Sequence, residues 1–344
     1  MSCRRACLGV LMLLRSTFAI AVDAAKLDFE DGVSQAPPGY LLFIAVNTAP
    51  GNVPQRAEIR QSWGQSHYIV GPNPNIQYKF AVGWPEPFSS DAKALEQDNA
   101  THGDFLRLPI REGYHNLVNK TIAMMRWFAL EGNARYIMKL DDDSFPNFNR
   151  LVPLLQLKTE NGKRYTYAGD MMLHHHPLLW GKWRQDPAVY NESDYPPYAT
   201  GPGYLMGADL ACLIYSEHYS LHIGMRLDNE DVNTGVWVHR EHVTGTQIDY
   251  TNLEAEEEGC QVGVYIAMNL PLGQMPCMWK RKLAGERDFC CAHSHSTWAD
   301  RNAVGFLRQA VAAQRRLAKG WVAEQDRHFA LSLASQSLAQ FGEE

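Results

Sequence analysis

"YIMKLDDDSF", residues 136 to 145, runs a mostly apolar stretch straight into three adjacent carboxylates, then resumes with Ser144 and Phe145. Asp141, Asp142 and Asp143 repel one another, and Asp is a poor strand former. Either something positive sits against them or the run is a solvated loop. The segments before it decide. "YLLFIAV" (40–46) is a short continuous apolar run, which reads as a buried strand. It ends in the turn cluster "NTAPGN". "VPQRAEIRQSWG" then reads as a helix, with Asn52 as N-cap, Pro54 in the first turn and Gly64 closing it. "IQYKFAVG" (76–83) is a second strand, "DAKALEQDN" (91–99) a short helix and "DFLRL" (104–108) a third strand. "HNLVNKTIAMMRWFALEGN" gives a long helix from Leu117 to Glu131, capped by Asn116 and ended at Gly132. The strand carrying the aspartates follows.

Strand–helix alternation of this kind predicts an α/β fold: a Rossmann-like, mainly parallel sheet with helices on both faces. In such sheets ligands bind beyond the carboxyl ends of the strands. The aspartates sit just past the end of the fourth strand, which favours a functional reading over a solvated loop.

The rest of the chain sets bounds. Its 344 residues are 45% hydrophobic, and with no repeat and no long Pro- or Ser-rich linker, one catalytic-size domain is the simplest parse. A net charge of −6 gives no reason to expect a nucleic-acid partner. At the N-terminus, Arg4 and Arg5 precede an apolar run from Ala6 to Leu14, the plan of a signal peptide or short signal-anchor over residues 1–26. Spanning a bilayer takes ~20 apolar residues, and Arg15 interrupts this run. Residues 27–39 read as a stem, 40–300 as the catalytic domain and 301–344 as a helical tail. Sequons at Asn99, Asn119 and Asn191 agree with secretory-pathway entry. Beyond the leader lie Cys212, Cys260, Cys277, Cys290 and Cys291, an odd number, with no CxxC pair.

Adjacent aspartates supply hard oxygen ligands of the kind Mg²⁺ and Mn²⁺ take, and such ions leave positions open for substrate phosphates. Side chains alternate on an extended segment, so Asp141 and Asp143 can face one way and Asp142 the other. Neither GxxxxGK[ST] nor GxGxxG occurs, so a metal would be the main phosphate anchor, helped by Arg56, Arg60 or Lys139.

Four ordered stretches complete the pattern: "RAEIRQSWG" (56–64), "KLDDDSF" (139–145), "YPPYATGPGYLMGADLA" (195–211) and "NEDVNTG" (229–235). Together they resemble glycosyltransferase family 31, the β1,3-galactosyltransferase family, which includes β1,3-N-acetylglucosaminyltransferases and the fringe proteins. The resemblance covers residues 40 to 300. It implies a GT-A fold, a UDP-sugar donor, Mn²⁺ (or Mg²⁺), inversion at the anomeric carbon, a glycan or glycoconjugate acceptor, and a Golgi-lumenal enzyme with a type II membrane anchor. By the same resemblance Asp143 binds the metal, Asp141 the metal's waters or the donor ribose, and Asp142 hydroxyls of the donor. The family's metal-binding His falls on His293 or His295 of "FCCAHSHSTW", with the register favouring His293. Asp231 takes the role of catalytic base, and Glu230 that of a donor-sugar or orienting ligand.

Among the other candidates, Arg56 and Arg60 lie four apart on one helical face, suited to the donor's diphosphate or nucleotide edge, or else to surface ion pairs. Gly201, Gly203 and Tyr204 predict a tight turn beside the sugar, or a purely structural turn. "HHH" (174–176) reads as loop rather than metal site, because consecutive residues do not converge on one ion. Trp180, Trp183 and Tyr198 read as acceptor-stacking or packing residues. Three activities compete: a β1,3-hexosyltransferase with galactose favoured over N-acetylglucosamine, an idle sugar-binding family member, and a metal-independent glycosidase using paired carboxylates.

Overall fold

The computed structural model describes residues 39–178, 184–221, 227, 229–257 and 264–286. The leader, nearly all of the 27–39 stem, the 301–344 tail, Trp180, Trp183, His293 and His295 lie outside the described residues.

Chain order runs β1 (Tyr40–Asn47), α1 (Val53–Gln61), β2 (Ile76–Trp84), α2 (Ser90–His102), β3 (Phe105–Arg111), α3 (Leu117–Glu131) and β4 (Ala134–Asp141). Then come β5 (Phe145–Pro146), α4 (Phe148–Glu160), β6 (Thr166–Met172), β7 (Tyr198–Gly207), α5 (Ala208–Leu221) and α6 (Glu230–Val243). The last described elements are β8 (Asp249–Asn252), β9 (Ala255–Glu257), β10 (Ile266–Met268) and α7 (Gln274–Leu283). Seven strands form one sheet in the order β3-β2-β1-β4-β7-β6-β8. Every neighbouring pair is parallel except those that β7 makes with β4 and β6, so β7 alone is reversed. A small second sheet joins β5, β10 and β9.

Period-2 alternation shows why both faces carry helices. Leu42, Ile44 and Val46 of β1 pack with Ile59 of α1, Leu95 of α2, Leu155 of α4 and Met278 of α7. The intervening Phe43 and Ala45 pack on the opposite face with Phe128 of α3, Ile214 of α5 and Val238 of α6. A strand apolar on both faces is what a doubly covered parallel sheet requires.

Local expectations met mixed outcomes. The long helix spans Leu117–Glu131 as its pattern predicts. Helix α1 stops at Gln61, and Gly64 lies within a separate 3₁₀ turn, Trp63–Gln65, rather than closing the helix. The reason is Trp63, whose buried indole donates to the Ser144 carbonyl at 3.1 Å and pulls the chain out of helical register. Neither Asn52 nor Asn116 makes a side-chain capping bond.

"TGPGYLMG" is the larger correction. Gly201, Gly203 and Tyr204 form no turn; they lie inside β7. A Cβ on Gly203 would stand 3.0 Å from Ile266 Cδ1 and 3.1 Å from Leu140 Cδ1, so this glycine lets the small sheet approach the large one. Gly235 does the same for α6: an added Cβ would meet Tyr198 Cβ at 2.4 Å and the Pro197 carbonyl at 2.9 Å. Gly235→Ala therefore has to lift α6 off β7. We expect it to lower stability by about 1–3 kcal/mol, the usual range for overpacking, read as a lower urea midpoint with an unchanged slope.

Candidate active site

Parallel pairing of β1 with β4 sets Asn47 opposite Asp141, so both strands end together at one edge of the sheet. The loops that leave the two strands meet there. Asn47 Nδ2 donates to Asp141 Oδ1 at 3.0 Å, and Thr48 Oγ1 donates to Asp142 Oδ2 at 2.5 Å. Asn52 Nδ2 donates to that same Asp142 oxygen at 2.9 Å, which is why it does not cap α1. Asp142, expected to meet hydroxyls of the donor, is buried, and its Oδ2 is committed to tying the turn after β4 to the loop after β1.

Lys139 and Asp141, two apart on a strand, share a face. The buried Lys139 ammonium contacts the Gly201 carbonyl, lies 2.8 Å from Asp141 Oδ1 and 3.6 Å from Glu230 Oε2. Burial works against its charge, but Asp141 and Glu230 more than offset this and raise its pKa. Lys139, expected to help anchor a diphosphate, here spends two contacts inside the fold, on the Gly201 carbonyl and Asp141.

The second acidic pair opens α6. Glu230 is buried; its Oε1 accepts from Thr121 and Tyr204 hydroxyls, each at 2.6 Å. Tyr204 therefore orients Glu230 from the core instead of lining a sugar turn. Asp231 Oδ2 accepts the Gly201 N–H at 3.1 Å, and Oδ1 accepts the Val232 N–H at 2.8 Å. Burial, and next the charge of Glu230, push Asp231 up to about 6.

Arg56 and Arg60 require correction. Arg56 is fully buried; it bonds Asp98 at 2.7 Å, the Thr48 hydroxyl at 3.1 Å, and the Ala49 and Pro50 carbonyls. Arg60 grips Asp104 with two bonds and Asp98 with a third. Neither guanidinium bonds Asp141 or Asp143; Arg56 ties α1 to α2 and to the loop after β1, and Arg60 ties α1 to α2 and to the residue before β3. Burial pushes Asp98 up, but the bonds from the two arginines outweigh it and hold its carboxyl below the ordinary range.

Does the edge suit a divalent cation? Among the described residues no cation pairs with Asp143, and Ser144 Oγ approaches its Oδ1 only at 3.5 Å. Burial, then Asp141 and Asp142, raise it to about 6. Asp141 spends Oδ1 on Asn47 and Lys139. Two carboxylates with oxygens still available fit a hard ion. They do not complete a site alone: no group of three or more His, Cys, Asp or Glu able to hold a metal occurs among the described residues.

Nearby, His175 Nδ1 contacts the Tyr198 hydroxyl at 3.0 Å, while His176 meets the Ser193 carbonyl and Asp194. His175 and His176 thus serve loop packing, and Tyr198 is buried among Tyr195 and Tyr190. Sequence reasoning missed Thr48, Asn52, Thr121 and Tyr114. Tyr114, from the 3₁₀ turn after β3, is raised in pKa by burial and by the charges of Asp231 and Asp141, so it borders both acidic pairs. Only the position of Thr48 directly after a strand end carried a signal.

Carboxylates on both sides of Gly201, at the carboxyl edge of a mainly parallel sheet, make that edge the candidate site of this α/β protein. The chain belongs to the galactosyltransferase family, whose family model matches residues 54–249, more than half of its 344 residues. As the strand–helix alternation predicted, the chain forms a mainly parallel sheet with helices on both faces. It is 31% identical over 251 residues to hydroxyproline O-galactosyltransferase GALT5 of Arabidopsis thaliana, covering 73% of this chain and 36% of that one. It is 33% identical over 218 residues to beta-1,3-galactosyltransferase 6 of Mus musculus, covering 61% and 65%. The chain thus spans little more than a third of the Arabidopsis relative. A solved structure of galactosyltransferase LgtC, in complex with donor and acceptor sugar analogs, has a TM-score of 0.34 and 13% identity over 62% of this chain and 75% of that one. A glycosyltransferase involved in glycosylation of the PBCV-1 major capsid has a TM-score of 0.35 and 10% identity over 69% and 97%. At those scores nothing further rests on either likeness.

A depressed Asp98 contributes stability that is full above its unfolded pKa and lost as pH falls through its folded one. Wild-type stability should therefore decline below about pH 4, where carboxylates take up protons. Asp98→Asn should start lower and show a flatter decline when urea unfolding is repeated across pH 3 to 7, roughly the span over which such linkage acts.

Proposed function

We propose that the chain is an inverting, metal-dependent galactosyltransferase that moves galactose from UDP-galactose to the 3-hydroxyl of a glycan or glycoconjugate acceptor. One observation carries this reading: Asp231 is held by the N–H of Gly201, while the lysine on the Gly201 carbonyl pairs with Asp141. A proton acceptor and a pair of metal-suited carboxylates thus flank one residue. The galactosyltransferase relatives favour galactose over N-acetylglucosamine, and two intact acidic pairs weigh against an idle site.

In the reaction, the acceptor oxygen forms its bond to the anomeric carbon as the carbon–oxygen bond to UDP breaks, and UDP leaves with the electron pair. Asp231 takes the proton of the attacking hydroxyl. Two backbone N–H groups fix its carboxylate, and its raised pKa makes it a stronger base than an exposed aspartate. A divalent ion held by Asp143 and Asp141, with His293 or His295 as a further ligand, would offset charge on the departing diphosphate. Glu230 orients and does not transfer protons, because Thr121, Tyr204 and Lys139 surround it.

Transfer by Asp231→Asn should fall at least roughly a hundredfold, the low end of general-base contributions, with UDP binding kept. Asp143→Ala should instead lose Mn²⁺-dependent UDP binding in calorimetry, and EDTA should mimic it. Since Asp231 is ionised above about 6, wild-type kcat at saturating metal should drop as pH falls through that value. Turnover that survives both EDTA and Asp231→Asn would leave the glycosidase alternative standing.

Residence in the secretory pathway, as a Golgi-lumenal type II membrane protein, is part of the same proposal. Cys212 and Cys277 are each in a disulfide, which suits an oxidising compartment. No helix among the described residues is long and apolar enough to cross a membrane, so an anchor would fall to the N-terminal leader. Of the three sequons, Asn191 is exposed outside helix and strand, whereas Asn99 and Asn119 are half-buried within α2 and α3. On protein from its native cells, peptide N-glycosidase should shift the mass, and Asn191→Gln should remove most of that shift.

A further inference from the structure

The Lys139 ammonium bonds the Gly201 carbonyl and Asp141 and lies within ion-pair reach of Glu230, 3.6 Å away. Gly201 itself sits in a break of β7. The pairing of β7 with β4 runs from Gly203 to Gly207, and its pairing with β6 skips from Ala199 to Tyr204. Neither polar group of Gly201 is therefore held by those ladders. Its carbonyl is held by Lys139 and its N–H by Asp231. The glycine is not there for want of room, since a Cβ would meet Asp231 Oδ2 at 3.4 Å, an ordinary contact. Glu230, the third partner of Lys139, is the residue beside Asp231 at the start of α6. One buried ammonium thus touches the acid on the metal side, the neighbour of the base, and the residue that holds the base.

We infer that Lys139 is a positioning residue for the transfer step: by holding Asp141, Glu230 and the Gly201 carbonyl at once, it sets where the Asp231 carboxylate stands relative to Asp141 and Asp143, and it does not bind the donor. The inference rests on the proposed role of Asp231. Misplacement of a reacting group by about 1 Å can lower a rate on the order of a hundredfold, so the effect belongs in kcat rather than in donor affinity.

A double-mutant cycle tests it in the full chain, with Lys139→Gln and Asp231→Asn alone and combined. Lys139→Gln should lower kcat at least roughly tenfold, while the Kd for UDP with Mn²⁺ stays within about threefold. Added to Asp231→Asn, it should lower the residual rate by less than about twofold, because a residue that acts through another is non-additive with it. Additive losses would mean general loosening of the site and would overturn the inference. A UDP Kd weakened about tenfold or more with kcat intact would restore Lys139 to the donor site and overturn it too. If Lys139→Gln shows no cooperative melting, Lys139→Arg replaces it, since the charge still pairs with Asp141 and Glu230. Its kcat should fall about fivefold or more, with the same coupling to Asp231→Asn. An unchanged kcat in the folded variant refutes the role. A wild-type chain that moves no sugar from any nucleotide donor would instead sink the proposed function itself, so the two failures are distinct.

Discussion

Charge buried at the carboxyl edge of the sheet governs this molecule. An ion withdrawn from water costs several kcal/mol unless it is paired and hydrogen-bonded, and three cations are buried among the described residues of this edge: Arg56, Lys120 and Lys139. Each has a carboxylate, respectively Asp98, Glu112 and Asp141. Each also bonds backbone carbonyls just where the chain leaves a ladder: Ala49 and Pro50, Thr48, and Gly201. Strand ends lack partners for their carbonyls, and these side chains supply them. The loops that shape the edge are therefore pinned from beneath by cations, and Thr48, bonded to Asp142, Arg56 and Lys120, joins the parts.

The same constraint separates the acids into two kinds. Asp98, Asp142 and Glu230 are anchored by several donors and hold structure. Asp143 and Asp231 are half-buried, and desolvation together with the charge of neighbouring carboxylates drives both up to about 6. A carboxylate so shifted in an otherwise satisfied surround is a place where ligand chemistry can act.

How much of this could be read from sequence depends on what each signal encodes. Apolar runs and helix periodicity report burial, so β1, β2, α3 and β4 fall close to where the pattern puts them. The aspartates lie at the end of their strand for the same reason. Spacing reports which residues share a face, not what that face meets. Arg56 and Arg60 do share one, but it meets Asp98 and Asp104, some forty residues away in the chain. Gly and Pro in "TGPG" read as a turn because they break regular structure locally, yet β7 is closed in by β4 and β6, and Gly203 answers to Ile266 across the sheets. Asn52 looks like a cap until Asp142 arrives. In each case a distant partner overrides a local preference, and a single sequence does not show that partner.

The pairing of β1 with β4 has a consequence for how the chain is made. Asn47 waits for Asp141, and Thr48 for Asp142, across 94 residues. At roughly 5–20 residues per second of synthesis, the partner reaches each about 5–20 s later. Until then β1 is an edge strand, paired by β2 on one side and open on the other. An unprotected apolar edge is the template on which chains join one another wrongly. A strand enclosed on both sides in the finished sheet is thus the one most in need of protection while the protein is being born.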